Sequence, residues 1–363
     1  MDILGQTPTQ SILFFILYGI TGVVPLIAAL YLLLRRANAI APGVTPSVRL
    51  RRWTASFFAV AALAHVWWLL FYIYFHDLQS KSYLLLTMVD CVLLFTTFAG
   101  MLFAMLQDRR RPVWPALVTM IPVVALVGAY MVYPSSLLEQ IIEAYLVLLG
   151  LLFTTYMVVS VRRYGRWLND NYADLENKKV WLSQTVALVF MLLFILYVLA
   201  TDMVFIWLIH IVELVLVGLL LWRVETLPHL STLAQKQPVA PASIDLAQIE
   251  RLLAKHCVDT QLYLQHDLSL LQLAQAVGTN RFYLSQYFSR QGITYNTYIN
   301  NLRINHFISR YQESAAVGQP VGAQQLAREC GFSSYRTFSR AFTQRMDQSV
   351  TAWMHDSTVL KNR

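Results

Sequence analysis

Seven long apolar runs constrain this chain more than anything else in its sequence. They cover residues 11–34, 53–75, 83–106, 113–133, 138–160, 181–201 and 203–222. A helix crosses a bilayer with about 20 apolar residues. A soluble core has no use for seven such runs in succession. In lipid each backbone must satisfy its own hydrogen bonds, which leaves helices as the form these runs can take. The composition agrees. Apolar residues make up 57% and charged residues 13% of the chain, against about 25% charged in ordinary globular domains. The apolar surplus ends at residue 222, and residues 244–363 read as a soluble domain. The expected fold is all-α: a seven-helix transmembrane bundle at 1–224, a linker at 225–243 and a soluble domain at 244–363. Residues 1–10 carry no Lys or Arg and do not resemble the basic start of a signal peptide.

The basic residues predict an orientation. Arg35, Arg36, Arg49, Arg51 and Arg52 follow the first run, Arg109, Arg110 and Arg111 the third, and Arg162, Arg163, Arg166, Lys178 and Lys179 the fifth. Arg223 follows the seventh, while Lys81 stands alone between the second and third. Odd-numbered helices therefore end inside, with the N-terminus outside and the C-terminus in the cytoplasm. Trp53, Trp114, Trp181 and Trp222 fall at the inner ends, where interfacial anchors belong.

The 225–243 stretch holds Pro228, Pro238 and Pro241 with little apolar periodicity, and reads as a loose linker. As a coil of about 20 residues it would span roughly 25 Å. Beyond it, 244–257 is amphipathic, and 296–311 predicts a long helix with Tyr298, Ile299, Leu302, Ile304, Phe307, Ile308 and Tyr311 on its apolar side.

The soluble region contains one pattern twice. Residues 268–288 read LSLLQLAQAVGTNRFYLSQYF, and 324–342 read QQLARECGFSSYRTFSRAF. In each, an amphipathic run ends at a glycine, Gly278 or Gly331, where a left-handed residue lets the chain leave the helix. Asn280 and Ser334 then suit the N-cap of a second helix. Leu273 with Ala274, and Leu326 with Ala327, would form the inner face of each first helix. Leu284 with Phe288, and Phe338 with Phe342, lie four apart and share the buried face of each second helix. The opposite face is polar, as a helix that reads a major groove requires.

These two half-motifs resemble the DNA-binding domain of the AraC/XylS family of bacterial transcription regulators. The resemblance covers roughly 244–353, and GFSSYRTFSRAF at 331–342 is its most diagnostic part. The run after Phe288 is one residue shorter than the family usually shows, and Asp347 and Val350 stand where Gly and Pro are usual. The resemblance implies base contacts from Phe282, Ser285 and Gln286, and from Arg336, Ser339 and Arg340. It implies phosphate or edge contacts from Arg281, Tyr335 and Thr337. Arg suits guanine and Gln suits adenine. It further implies double-stranded DNA as partner, with a homodimer as one arrangement, and together with the apolar runs and basic loops it predicts a place in the inner membrane of a bacterium. Residues 244–363 hold 12 Lys/Arg and 8 Asp/Glu, a net of +4 that is a modest footprint for DNA.

Five ionisable residues fall deep within the apolar runs: His65, Asp90, Glu143, His210 and Glu213. Such residues are costly in lipid and face a bundle interior or a cavity. Two readings stand side by side. One is an outward-opening polar pocket that receives a small-molecule or membrane signal. The other is a set of internal hydrogen bonds holding the helices in register. The spacing of His210, Glu213 and Glu143 is too generic to name a metal site. Cys91, Cys257 and Cys330 are scattered and predict neither disulfide nor zinc. There is no Walker loop, GxGxxG, HExxH or serine elbow, so no enzyme or cofactor is expected. The whole reads as a one-component membrane-bound regulator. A transporter or an intramembrane enzyme with an appended regulator, or a purely anchoring membrane half, remain the alternatives.

Overall fold

The computed structural model describes residues 8–35, 38–74, 81–175, 178–199, 203–230, 246–317 and 322–359. The described residues are helical throughout, apart from turns and one isolated antiparallel bridge. The chain divides into two compact units. One comprises Met1–Tyr164 and Val180–Thr232, the other Gly165–Lys179 and Leu233–Arg363.

The first unit contains α1 (Pro8–Leu34), α2 (Val48–Tyr74), α3 (Lys81–Met105), α4 (Trp114–Val118) and α5 (Ile121–Val132). It continues with most of α6 (Ser136–Asn171), then α7 (Trp181–Leu199) and α8 (Met203–Thr226). Among the described residues, six stretches are long and apolar enough to cross a membrane: Thr9–Leu34, Val48–Phe71, Leu84–Met105, Trp114–Val132, Ser136–Asn171 and Trp207–Thr226. These helices suggest a membrane protein. The run at 181–201 begins as α7, and its last two residues lie outside the described part. The fourth run is one span made of two helices, with Pro122 in the first turn of α5 just after the break. The fifth extends past its apolar run, so α6 is 36 residues long, roughly 54 Å at 1.5 Å per residue.

Helix α2 packs against α1, α3 and α8, and α8 packs against α1 and α7. Gly100 on α3 admits the Trp53 ring of α2 so closely that a Cβ there would lie 2.3 Å from it. Trp53 is thus half-buried and packed between the two helices. Trp114, Trp181 and Trp222 remain exposed at 63%, 58% and 45%. Many Leu, Ile and Val side chains along α1, α2, α5 and α6 also face outward. A soluble monomer rarely exposes apolar surface of that extent, whereas lipid covers it at no cost.

Several of the basic residues are bound rather than free. Arg111 grips Asp108 with two bonds of 2.6 and 3.0 Å, Arg49 donates to the carbonyl of Arg111, and Arg51 donates to that of Leu32. The start of the expected linker is also fixed. Glu225 accepts from the Tyr31 hydroxyl at 2.9 Å and from the Ala39 amide at 3.1 Å. The His229 amide donates to the Thr45 carbonyl at 2.9 Å. Gln107 brackets Pro228 and Leu230 through its amide nitrogen and oxygen. Residues 225–230 therefore correct the reading of a loose linker, because buried Leu227 and Leu230 hold this stretch against the unit. Residues 231–245 lie outside the described part.

The second unit has α9 (Leu246–Leu253), α10 (Leu270–Val277), α11 (Arg281–Arg290), α12 (Tyr295–Ala316), α13 (Ala323–Glu329), α14 (Tyr335–Met346) and α15 (Val350–Val359). It holds two separate cores. Leu253, Leu273, Leu284 and Phe288 belong to one, and Leu326, Phe332, Phe338 and Phe342 to the other. The long helix α12 serves both, giving Tyr295 and Ile299 to the first and Ile304 and Phe307 to the second.

Candidate nucleic-acid interface

Each of the paired motifs folds as a helix, a tight turn and a helix, and local chemistry explains the turns. Ser269 caps α10 in a reciprocal box with Gln272. Gly278 ends α10 at φ 76°, and Asn280 caps α11 by accepting from the Tyr283 amide at 3.0 Å. In the second motif Gly331 adopts φ 89°, and Ser334 accepts from the Thr337 amide at 3.2 Å. Gly331 is required twice over, because a Cβ there would sit 2.5 Å from the Leu264 carbonyl oxygen. Asp347, where the resembled family usually has Gly, keeps the left-handed conformation at φ 53°.

The buried faces leave the polar faces outward. On α11, Leu284, Tyr287 and Phe288 are buried, while Arg281, Phe282, Ser285 and Gln286 are exposed. Phe282 is 65% exposed, an unusual position for a phenyl ring, with one edge-on contact to Tyr283 at 5.8 Å. On α14, Arg336 and Arg340 are exposed one turn apart. They share a shallow open groove with Tyr335, Ser339, Thr343 and Gln344. Two of the expected contacts are partly committed elsewhere. Thr337 pairs its hydroxyl with Ser334 at 3.2 Å, and the Tyr335 ring lies 5.9 Å from Phe338 at the edge of the second core. Thr343 and Gln344 were missed in the sequence. Their signal was the continuation of the Arg336, Ser339, Arg340 face by one more helical turn.

The two motifs are joined through a residue that sequence reasoning did not single out. Arg303 on α12 is 1% exposed. Its guanidinium donates to the carbonyls of Tyr263 at 2.7 Å, Gln265 at 2.6 Å and His266 at 3.2 Å. It also lies 5.6 Å from the centre of the Phe332 ring. Burial pushes its pKa down to about 10, still far above neutrality. Burial likewise pushes Cys257 up to about 11 and Cys330 up to about 12, so both remain protonated thiols that pack as small apolar groups.

Residues 273–356 match the family model of a helix-turn-helix domain, of AraC type. No curated protein and no solved structure matches the chain significantly. The match begins inside α10 and ends inside α15, so it takes in both turn motifs and the helix between them. The helix-turn-helix match supports DNA binding by this region and suggests a role in transcription regulation.

In the first unit the structure brings together three of the five ionisable residues. The His65 Nε2 on α2 lies 3.7 Å from a Glu213 carboxylate oxygen on α8. The His65 and His210 rings are 5.7 Å apart, and the Tyr18 ring of α1 packs at a tilt against both at 4.9 and 5.6 Å. His65 Nδ1 is tied to the Ala61 carbonyl at 2.8 Å, and the Tyr18 hydroxyl donates to the carbonyl of His65 at 2.7 Å. Asp90 is buried separately, where the Trp68 indole donates to it. Glu143 is exposed on α6 and does not join the cluster. The apolar face of α6 explains this, since its buried side in the upper turns is formed by partly covered Ile142, Tyr145, Leu146 and Leu149. Among the described residues no group of three His, Cys, Asp or Glu is placed to hold a metal ion.

Proposed function

We propose that the chain is a one-component transcription regulator held in a bacterial inner membrane. Its helix-turn-helix domain reads DNA in the cytoplasm, and its membrane unit controls that reading. The observation that carries the proposal is the outward polar face on both second helices, α11 and α14, each backed by its own core. Gln286 on α11 and Arg336 and Arg340 on α14 supply the base-reading chemistry, with Phe282 offering an apolar contact to a thymine methyl. Arg281 and Tyr335 meet phosphates at the edges. Two such helices on one domain address neighbouring turns of the major groove, about 34 Å apart.

The basic loops support an N-terminus outside and the DNA-reading domain inside. The Tyr18, His65, His210 and Glu213 cluster supports signal reception by the membrane unit, with Asp90 buried separately on α3. A ligand acts there by binding two states of the bundle unequally. The chemistry is binding, without turnover.

The test is selection of duplexes from a random pool by the purified full chain. The reading predicts a bipartite consensus with half-sites about one helical turn apart. Arg340→Ala should erase information at one half-site and spare the other. A pool that stays random, or a consensus unchanged in the variant, overturns it.

A further inference from the structure

The last turns of α6 and most of the connection to α7, Gly165–Lys179, belong to the second compact unit. The middle of this segment is docked on the first helix-turn-helix motif by main-chain bonds. Tyr172 and Ser269 form an antiparallel bridge, and the Ala173 amide donates to the Leu268 carbonyl at 3.2 Å. The side-chain amide of Asn296, in the first turn of α12, donates to the carbonyls of Tyr172 at 3.2 Å and Ala173 at 2.6 Å. Ala173 is wholly buried in the first core with Leu268, Leu270 and Tyr295. The Lys178 ammonium meets the Asp267 carboxylate at 3.1 Å and lies 5.4 Å from the centre of the Tyr172 ring. A loop that served only to connect two helices would not bury a methyl in another motif's core and satisfy three of its polar groups there.

The seat has a meaning for DNA. In a helix-turn-helix the first helix crosses the phosphate backbone, and the start of the second enters the groove. The bridge falls on Ser269, the cap of that first helix. Burial raises the pKa of the Tyr172 phenol, and the Arg281 guanidinium at the start of α11 lowers it in part. The docked segment thus lies within electrostatic range of Arg281, one of the residues proposed to meet a phosphate. At the start of the segment Asp170 is exposed, a carboxylate whose charge repels a phosphate backbone. Asp174 is buried and within electrostatic reach of Arg303.

We infer that Tyr172–Leu175, together with Lys178, acts as an autoinhibitory strap, seated on Leu268, Ser269 and Asn296, that competes with the DNA backbone for the first helix-turn-helix motif. Its two ends are continuous with α6 and α7, so a shift of either helix acts on the strap without passing through residues 231–245. Strap and DNA are then linked ligands of one motif, and loosening one tightens the other. This inference rests on the reading of the domain as a DNA reader.

The experiment uses the full chain in nanodiscs and a labelled 30-base-pair duplex of arbitrary sequence, since phosphate contacts alone drive such binding. Asn296→Ala removes two bonds to the strap, and Ala173→Glu unseats it from the other side. Neither residue belongs to the proposed DNA face. Both variants should bind the duplex about tenfold more tightly than the parent chain. Their salt dependence should steepen by about one phosphate contact, and Arg281→Ala in either background should abolish that gain. Misfolding weakens binding, so a gain in both variants cannot arise from it. If either variant binds as the parent does or more weakly, while the parent still needs Arg336 and Arg340, the strap is refuted and the DNA reader stands. If no form binds the duplex, both readings fall.

Discussion

Arg303 donates to the carbonyl of Tyr263 at 2.7 Å from inside the helix that both DNA-reading motifs share. The guanidinium closes three carbonyls of the 263–266 turn on one side and faces Phe332, of the second core, on the other. A single buried cation thus ties the two helix-turn-helix motifs together through the helix they share.

Replacing it should cost more than its size implies, because buried carbonyls left without donors each cost about 1–3 kcal/mol. Arg303→Met is expected to speed hydrogen exchange of the α12 amides by at least about thirtyfold, which corresponds to about 2 kcal/mol. Exchange measured on the full chain isolates this helix from the membrane unit. An unchanged rate would show that the three bonds are dispensable.

The two turn glycines should differ in their tolerance of alanine. Gly278 has a positive φ but open space around its missing Cβ, so Gly278→Ala pays only the left-handed penalty of about 1–2 kcal/mol. Gly331→Ala adds a collision with the Leu264 backbone. The temperature at which the purified chain releases duplex DNA should fall further for Gly331→Ala than for Gly278→Ala. Equal falls would contradict the close approach of the 262–264 turn to the second motif.

His306 gives the second unit a pH dependence of known sign. Burial lowers its pKa, with Arg310 adding to the effect, and its Nδ1 lies 3.2 Å from the Tyr263 hydroxyl. The unfolded chain therefore binds the proton more readily than the folded one. Stability is full above the unfolded value of about 6.5, and it declines as pH falls through that value toward the lower folded one. Limited proteolysis of the domain between about pH 7.5 and 5 should show faster cleavage on the acid side, and His306→Gln should flatten the profile. A profile unaltered by that substitution would place the titration elsewhere.

Glu213→Gln tests the membrane cluster. It removes the carboxylate facing His65 at 3.7 Å and leaves every residue of the helix-turn-helix domain in place. Affinity for a selected duplex should stay within about twofold, while transcription from the bound promoters changes. Unchanged transcription would favour a purely anchoring membrane half.

Much of the DNA-reading domain is legible in the sequence because its determinants are local. Gly278, Asn280, Gly331 and Ser334 declare the turns, and the four-residue spacing of Phe338 and Phe342 declares the buried face. What sequence misses is long-range. Arg303 reads as a surface cation because charged residues are seldom buried, and its carbonyl partners lie some forty residues away. The Tyr172–Leu175 stretch has no periodicity to betray that it docks on residues about a hundred positions later. Depth in the spans identifies His65, His210 and Glu213 as unusual, but depth alone groups Glu143 with them. The rotation of α6 that turns Glu143 outward is a matter of packing.

The central claim is that this membrane-embedded chain reads specific DNA through α11 and α14. Its most direct test is sequencing of the DNA that crosslinks to the intact protein in cells, comparing the parent with Arg336→Ala/Arg340→Ala. The account predicts a small set of promoters recovered with the parent and lost with the variant, at equal amounts of protein in the membrane. Diffuse recovery from the parent, or the same promoters from both, would contradict it.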